Sequence, residues 1–388
     1  MGLRSVVRFC LALTVGLAAS ASYAADPIRI GAPFNVTGAL ASLDGPALNG
    51  ARLKLKEINA AGGVLGRQLE LVFYDTKTDP TVIAATAARL IDQDRVPVAI
   101  GFTDSDSVLT LGPVFQQAGI PFVTPGATSP QLPGQVGSDV FLACFGDNVQ
   151  AAAGAEFVVG KLKGRRVYLL RDSATHYTVL LARYFDESFT HDGGTIVGRD
   201  DYRSGDKSFA GQIDRLKASA IKPDVIYISA MPDDIGAIVK QLREAGIMQP
   251  VVGGDGYDTP LLVQVAGTAA ANVYYSTHAY MAADSTPGIS KFYRDYKAAY
   301  GKDPENAFAA LGYDTLGLVA DAIRRAGTAD PVRIRDALAA TDGYSGITGS
   351  ISYRNGIRVP AKTVTMIGVK DGQLYLAGEI KPDYIAAP

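Results

Sequence analysis

Short β-branched runs alternate with helix-length amphipathic stretches along much of this 388-residue chain. That alternation admits little besides parallel strands joined by crossover helices. The first set predicts strands at Ile28–Pro33, Leu69–Asp75, Pro97–Gly101 and Pro121–Thr124, with helices at Gly45–Ala61, Pro80–Asp94 and Asp106–Gly119. Within Pro80–Asp94, Val82, Ile83, Ala87, Leu90 and Ile91 fall near the 3.6-residue period and give one apolar face. Gly62-Gly63 and Gly119 stand where left-handed helix caps belong.

A second set follows Phe145. It predicts strands at Arg166–Arg171, Thr195–Gly198, Asp224–Ser229 and Pro250–Gly254, and helices at Asn148–Leu162, Thr178–His191, Ser208–Ala220, Asp233–Gly246 and Thr259–Ala266. Two alternating sets of similar length imply two similar α/β lobes. The remaining third breaks the pattern, with helices at Gly288–Tyr300, Asn306–Arg325 and Pro331–Ala340 and few strands among them. Helices without strands of their own must cover a sheet made earlier, so the chain is expected to return to its first lobe. A strand-like segment at Gly346–Tyr353 precedes a closing hairpin, Lys362–Val369 and Gln373–Glu379 around Asp371-Gly372, and Asp-Gly between alternating runs is a strong hairpin signal. The absence of a low-complexity linker favours a hinge of several short crossings.

Residues 1–24 read as an export signal. Arg4 and Arg8 precede an apolar run of eleven residues, Phe9 to Ala19, and Ser22-Tyr23-Ala24 offers small residues for cleavage. The run is shorter than the ~18–20 residues of a membrane span. Cleavage leaves 364 of 388 residues and moves the formal charge from −2 to −4 as Arg4 and Arg8 depart. That balance, without a block of like charge, gives no footing for nucleic acid. Cys10 leaves with the signal, so Cys144 stands alone and no internal disulfide forms. Its apolar surroundings, Val140-Phe141-Leu142-Ala143-Cys144-Phe145, mark it as a core residue rather than a nucleophile.

Enzyme signatures are lacking. No GxGxxG or GxxxxGK[ST] follows a strand, and Gly253-Gly254-Asp255-Gly256 is not a phosphate-binding pattern. His176, His191 and His278 have neither metal-ligand spacing nor a GxSxG partner, and read as surface or hinge residues. No cofactor and no metal are expected.

Ile28-Arg29-Ile30-Gly31-Ala32-Pro33, then Thr37-Gly38 and Asn49-Gly50-Ala51, resembles the opening of the periplasmic leucine/isoleucine/valine-binding family of ABC transporters. Glu57-Ile58-Asn59-Ala60-Ala61-Gly62-Gly63-Val64-Leu65-Gly66-Arg67, Tyr74-Asp75-Thr76, Val98-Ala99-Ile100-Gly101 and Gly119-Ile120-Pro121-Phe122-Val123-Thr124-Pro125-Gly126-Ala127-Thr128 are similar to its later blocks, in order. The resemblance implies two Rossmann-like lobes joined by a three-crossing hinge, with crossings near Cys144–Asp147, Ser276–Tyr280 and Ile347–Ser352. Lobe one is then 25–145 plus 280–348, and lobe two 146–279 plus 349–388. It also implies a monomeric protein that closes on a small amino acid and delivers it to a permease. The alternatives are an aromatic or other small carboxylate without an amine, or a ligand-sensing subunit.

Carried over residue by residue, the resemblance implies that Ser105, Gly126, Ala127 and Thr128 hold the ligand's α-carboxylate and amine, Asp255 pairs with its ammonium, and Tyr177 closes over it. Read without the family, Ser105 and Thr128 are equally helix caps, and Asp255 the start of an Asx turn before Gly256. Thr103, Asp104 and Tyr257 adjoin these positions. Leu43 and Met231 stand where amino-acid binders of the family often carry tyrosine, and Asp104 where they carry cysteine. Asp104 and Asp106 either shape a pocket for a more cationic ligand or start the following helix.

Overall fold

The computed structural model describes residues 26–388; the expected signal at residues 1–24, Cys10 included, lies outside them. The chain opens with β1 (Ile28–Phe34), α1 (Ala41–Ala60), β2 (Leu69–Asp75), α2 (Pro80–Asp92), β3 (Ala99–Ile100), α3 (Ser105–Ala118), β4 (Phe122–Thr124), α4 (Leu132–Val136) and β5 (Val140–Leu142). These strands form one parallel sheet ordered β2-β1-β3-β4-β5. Its central strands β3 and β4 are buried along their length, as helix-covered parallel sheets require.

The second set comprises α5 (Asp147–Gly160), β6 (Arg166–Asp172), α6 (His176–His191), β7 (Thr195–Tyr202), α7 (Ala210–Ala218), β8 (Val225–Ser229), α8 (Pro232–Glu244), β9 (Val251–Gly253), α9 (Pro260–Ala266) and β10 (Val273–Thr277). The chain then runs through α10 (Pro287–Tyr300), α11 (Ala307–Ala326), α12 (Pro331–Ala339), β11 (Tyr344–Gly346), β12 (Gly349–Ile351), β13 (Val364–Lys370) and β14 (Gln373–Ile380). The second sheet is ordered β14-β13-β10-β9-β8-β6-β7, parallel except for the closing hairpin. The Asp371-Gly372 turn forms as expected, with both residues at positive φ.

The chain does return to its first lobe. Phe308, Leu311, Leu316, Leu318 and Ile323 of α11, with Ile334 and Leu338 of α12, join the core built by β1–β5. α11 lies so close to α1 that only glycine fits at two points. A Cβ on Gly50 would stand 1.7 Å from the Ala309 carbonyl oxygen, and one on Gly312 1.9 Å from that of Ala47.

Two expectations shift. Val273–Thr277 is a central strand, so the second crossing starts at His278 rather than Ser276. The third crossing comes later than Ile347–Ser352. The strand-like Gly346–Tyr353 folds into the small β11–β12 hairpin, whose turn is fixed by Asp314 accepting the Ile347 and Thr348 N–H groups at 2.8 Å. Ile351 and Tyr353 stay in the first core, and Leu142 N–H donates to Arg358 O at 3.0 Å. Val359 also packs against the first core, so the contacts with that core run on past Arg358. Lys362, buried beyond it, donates to Ala143 O at 2.9 Å and to Thr348 Oγ1 at 2.7 Å, stitching the third crossing to the first. Among the described residues no helix is long and apolar enough to cross a membrane.

Candidate functional site

Ligands of open α/β sheets sit beyond the carboxyl ends of the strands. Beyond β3, Phe102 takes a left-handed backbone (φ 59°), an uncommon state for a bulky residue, and turns the chain into Thr103, Asp104 and Ser105. Thr124 of β4 fixes that turn by donating from its hydroxyl to Phe102 O at 2.8 Å. Asp104 caps α3, its Oδ1 accepting the Ser107 N–H at 2.8 Å. Ser105 Oγ accepts the Ser129 N–H at 3.1 Å, which leaves its own O–H to donate. Beyond β4, Ala127 N–H is bound by Thr124 Oγ1 at 2.9 Å, and Thr128 is buried beside it.

On the second lobe, β9 ends in a turn that carries Asp255. Three polar side chains converge on its carboxylate. The Tyr177 hydroxyl and Gln150 Nε2 donate to Oδ1, each at 2.9 Å, and His278 Nε2 lies 3.0 Å from Oδ2. Gln150 Oε1 in turn accepts the Asp255 N–H at 3.0 Å and the Ser276 hydroxyl at 2.7 Å. Burial and the Asp255 charge push the Tyr177 phenol well above its ordinary value, so it stays a donor.

These two surfaces close on one narrow cavity of about 20 Å³. Leu40, Leu43, Thr103, Asp104, Ser105, Thr128 and Phe308 line it from the first lobe. Tyr177, Met231, Pro232, Asp255 and Gly256 line it from the second. Gly126, Ala127 and Tyr257 lie behind the wall rather than in it. Tyr257 donates to Ile228 O at 2.6 Å inside the second core, and the Gly126 backbone is packed against the Phe308 ring. Leu40, Pro232 and Phe308 went unread in the sequence, which carries no local signal for an apolar wall assembled from three distant segments. Gln150 went unread too, since it acts through Asp255.

Buried carboxyl groups stand in the cavity wall and behind it. Burial, then the neighbouring Asp44 charge, raises Asp104 to about 7, and burial raises Asp44 to about 6 despite bonds from Thr103 and Asn35. Asp147, whose Oδ1 accepts from Gln150 Nε2 at 2.9 Å, is raised to about 8 by burial and then by Asp255. The lobes also touch across the cleft mouth, where Ser129 Oγ lies 3.2 Å from His176 Nε2. The cavity thus offers an apolar body, hydroxyl donors at a helix start on one wall and a carboxylate on the other. That is the complement of a small zwitterion with an apolar side chain.

The sequence profile described as periplasmic binding protein matches residues 27–373. The chain is similar to the leucine-, isoleucine-, valine-, threonine- and alanine-binding protein of Pseudomonas aeruginosa, at 26% identity over 352 residues, covering 91% of this chain and 92% of that one. It is similar in structure to a leucine-binding protein of Thermotoga maritima, with 34% identity and a TM-score of 0.85 over 92% of this chain and 99% of that one. The branched-chain amino acid transporter substrate-binding protein of Streptococcus pneumoniae, solved with isoleucine, aligns at 31% identity and TM-score 0.85 over 92% of this chain and 100% of the other.

Proposed function

The chain belongs to the periplasmic binding protein family, and on that premise we propose that it captures a small amino acid between its lobes and delivers it to the permease of an ABC importer. The observation that carries the reading is the opposition of Asp255 to Ser105 and Thr128 across one narrow cavity. The α-carboxylate docks at the start of α3 on the Ser105 hydroxyl and backbone N–H groups, with Thr128 beside it. The ammonium meets Asp255 on the opposite wall. A charge-assisted bond of this kind contributes about 1.5–3 kcal/mol, and a ligand without the amine leaves the carboxylate unpaired. Leu40, Leu43, Met231, Pro232 and Phe308 make the rest of the lining apolar, which supports a branched-chain or similar amino acid.

Binding proceeds by hinge closure. The ligand docks on the first lobe, and the second swings Tyr177 and Asp255 across it, so contacts absent from the open form stabilise the closed one. The lobes in this reading are residues 25–145 with 280–359, and 146–279 with 360–388. The mature chain is a periplasmic monomer released from its signal after Ala24, and it passes its ligand on unchanged.

A thermal-shift screen of refolded, ligand-stripped protein tests the reading. One panel holds amino acids, the other aliphatic and aromatic acids without an amine. A ligand at 100 times its dissociation constant adds about 2.7 kcal/mol, a visible shift. Shifts confined to amino acids support the reading, whereas shifts confined to amine-free acids overturn the role of Asp255.

A further inference from the structure

His278 touches two walls of the cavity without lining it. Its side chain is fully buried. The ring stacks on Phe145 at 4.0 Å between centroids and meets Phe308 edge-on at 5.6 Å. Nε2 lies 3.0 Å from Asp255 Oδ2, whereas Nδ1, equally buried, has no hydrogen-bond partner. A residue kept only for packing here would be better as phenylalanine, because a buried lone acceptor gains nothing on its Nδ1 side. The polar ring makes sense through Nε2 alone.

The tautomer follows from the surroundings. With Nδ1 facing no donor and no acceptor, the proton belongs on Nε2, where the Asp255 carboxylate accepts it. Burial depresses the imidazole below its ordinary value, with the Asp255 interaction opposing and the Lys362 charge adding to the depression, so the ring is neutral near pH 7. A neutral donor orients Asp255 without cancelling its charge. An imidazolium at this distance would compete with the ligand's own cation for the same oxygen.

We infer that His278 is a positioning residue: held between Phe145 and Phe308, its Nε2–H aims the Asp255 carboxylate at the ligand's ammonium. The inference rests on the amino-acid reading given above. Its clamp is assembled from both sides of the hinge. Phe145 lies in the first crossing, His278 opens the second, and Phe308 belongs to the first lobe's α11. The carboxylate's aim is thereby tied to the arrangement of the crossings.

The experiment compares wild type, His278→Gln and His278→Met as full mature chains. Glutamine and methionine match in size and differ in the donor. Titration calorimetry measures L-leucine and its amine-free analogue 4-methylpentanoate, and melting of the ligand-free proteins reports folding. Expected is leucine affinity near wild type for H278Q and about tenfold weaker or more for H278M, the worth of one hydrogen bond to a charged group, with 4-methylpentanoate unchanged between the variants. Equal leucine affinities for H278Q and H278M, or equal losses for both ligands, overturn the positioning role and leave the functional reading standing. Wild type that binds 4-methylpentanoate and not leucine overturns both. Nitrogen NMR of the wild-type imidazole decides independently of any variant: a proton on Nε2 is expected, and a proton on Nδ1 with a bare Nε2 overturns the inference.

Discussion

The Asp106 carboxylate, on the first lobe, accepts a hydrogen bond at 3.0 Å from the backbone N–H of His176, which opens α6 on the second. The bond spans the cleft mouth and sets a negative charge against a helix N-terminus. It exists only while the lobes are together. Asp106→Ala is therefore expected to weaken ligand binding about tenfold, the worth of one charge-assisted bond, mainly through faster release. Stopped-flow dissociation and small-angle scattering of the liganded form check this, and an unchanged release rate would mean that the latch does not govern closure.

Asp255→Ala removes the acceptor shared by Tyr177, Gln150 and His278. Amino-acid affinity should fall by about tenfold or more, and discrimination against amine-free acids should shrink with it. Calorimetry with both ligand panels measures the two effects. Retained discrimination would move the ammonium contact elsewhere.

A Cβ on Gly126 would stand 2.6 Å from the Phe308 ring and 3.1 Å from Thr103 Cβ. Both neighbours line the cavity, so the ring must move into the ligand's space. Gly126→Ala should retain the fold while losing affinity by about tenfold, with a destabilisation of about 1–3 kcal/mol from overpacking. A variant melting lower yet binding as wild type would show that Phe308 yields away from the cavity.

Four buried carboxyl groups give stability a pH slope. Asp147, raised to about 8, Asp104, to about 7, and Asp44 and Asp258, to about 6, hold protons more tightly folded than unfolded. Their contribution is complete at low pH and is lost as pH climbs through those values, by up to about 1.4 kcal/mol per pH unit for each proton released. His278, depressed by burial, works the other way and costs stability as pH falls below its ordinary 6.5. The melting temperature of ligand-free protein should therefore fall between pH 6.5 and 8.5. Asp147→Asn should flatten that fall and melt higher than wild type at pH 8, and a slope unchanged by it would locate the titrating group elsewhere.

Cys144 is fully buried, its thiol pushed well above the ordinary value first by burial and then by the Asp255 charge, and it contacts Ala127 O at 3.4 Å. Alkylation by iodoacetamide at pH 8 should be slow in the native protein and immediate in denaturant. Fast native labelling would reveal an opening of the first crossing.

The strands whose buried side chains are mainly apolar are legible: Ile28, Ile30 and Ala32 of β1 and Val225, Ile226 and Ile228 of β8 announce themselves by type. Val273–Thr277 did not. Ser276 and Thr277 are buried there because Gln150 and Asp258 accept their hydroxyl protons, a partnership that no local pattern encodes. The third crossing was placed early for the same kind of reason, since Asp314 fixes the Ile347–Thr348 turn from 33 residues away. Eight of the named positions, Leu43, Thr103, Asp104, Ser105, Thr128, Tyr177, Met231 and Asp255, meet at one cavity, because strand ends and helix starts are readable. His278 was read only as a surface or hinge residue. Its burial depends on Phe145 and Phe308, which come from two other segments.

The glycine-to-backbone seam between α1 and α11 has a kinetic meaning. Lys54 and Tyr313, which hydrogen-bond across it at 3.2 Å, are 259 residues apart. All five strands of the first sheet precede residue 145, yet the helix that seals one of its flanks is made long after the second sheet has its parallel strands. Loop-closure entropy of that span must be met before the seam returns any contact, which makes the first lobe a slow, late-finishing folder. A nascent chain lacking α11 therefore carries an apolar face with nothing to cover it, and that face is prone to aggregation until α11 docks.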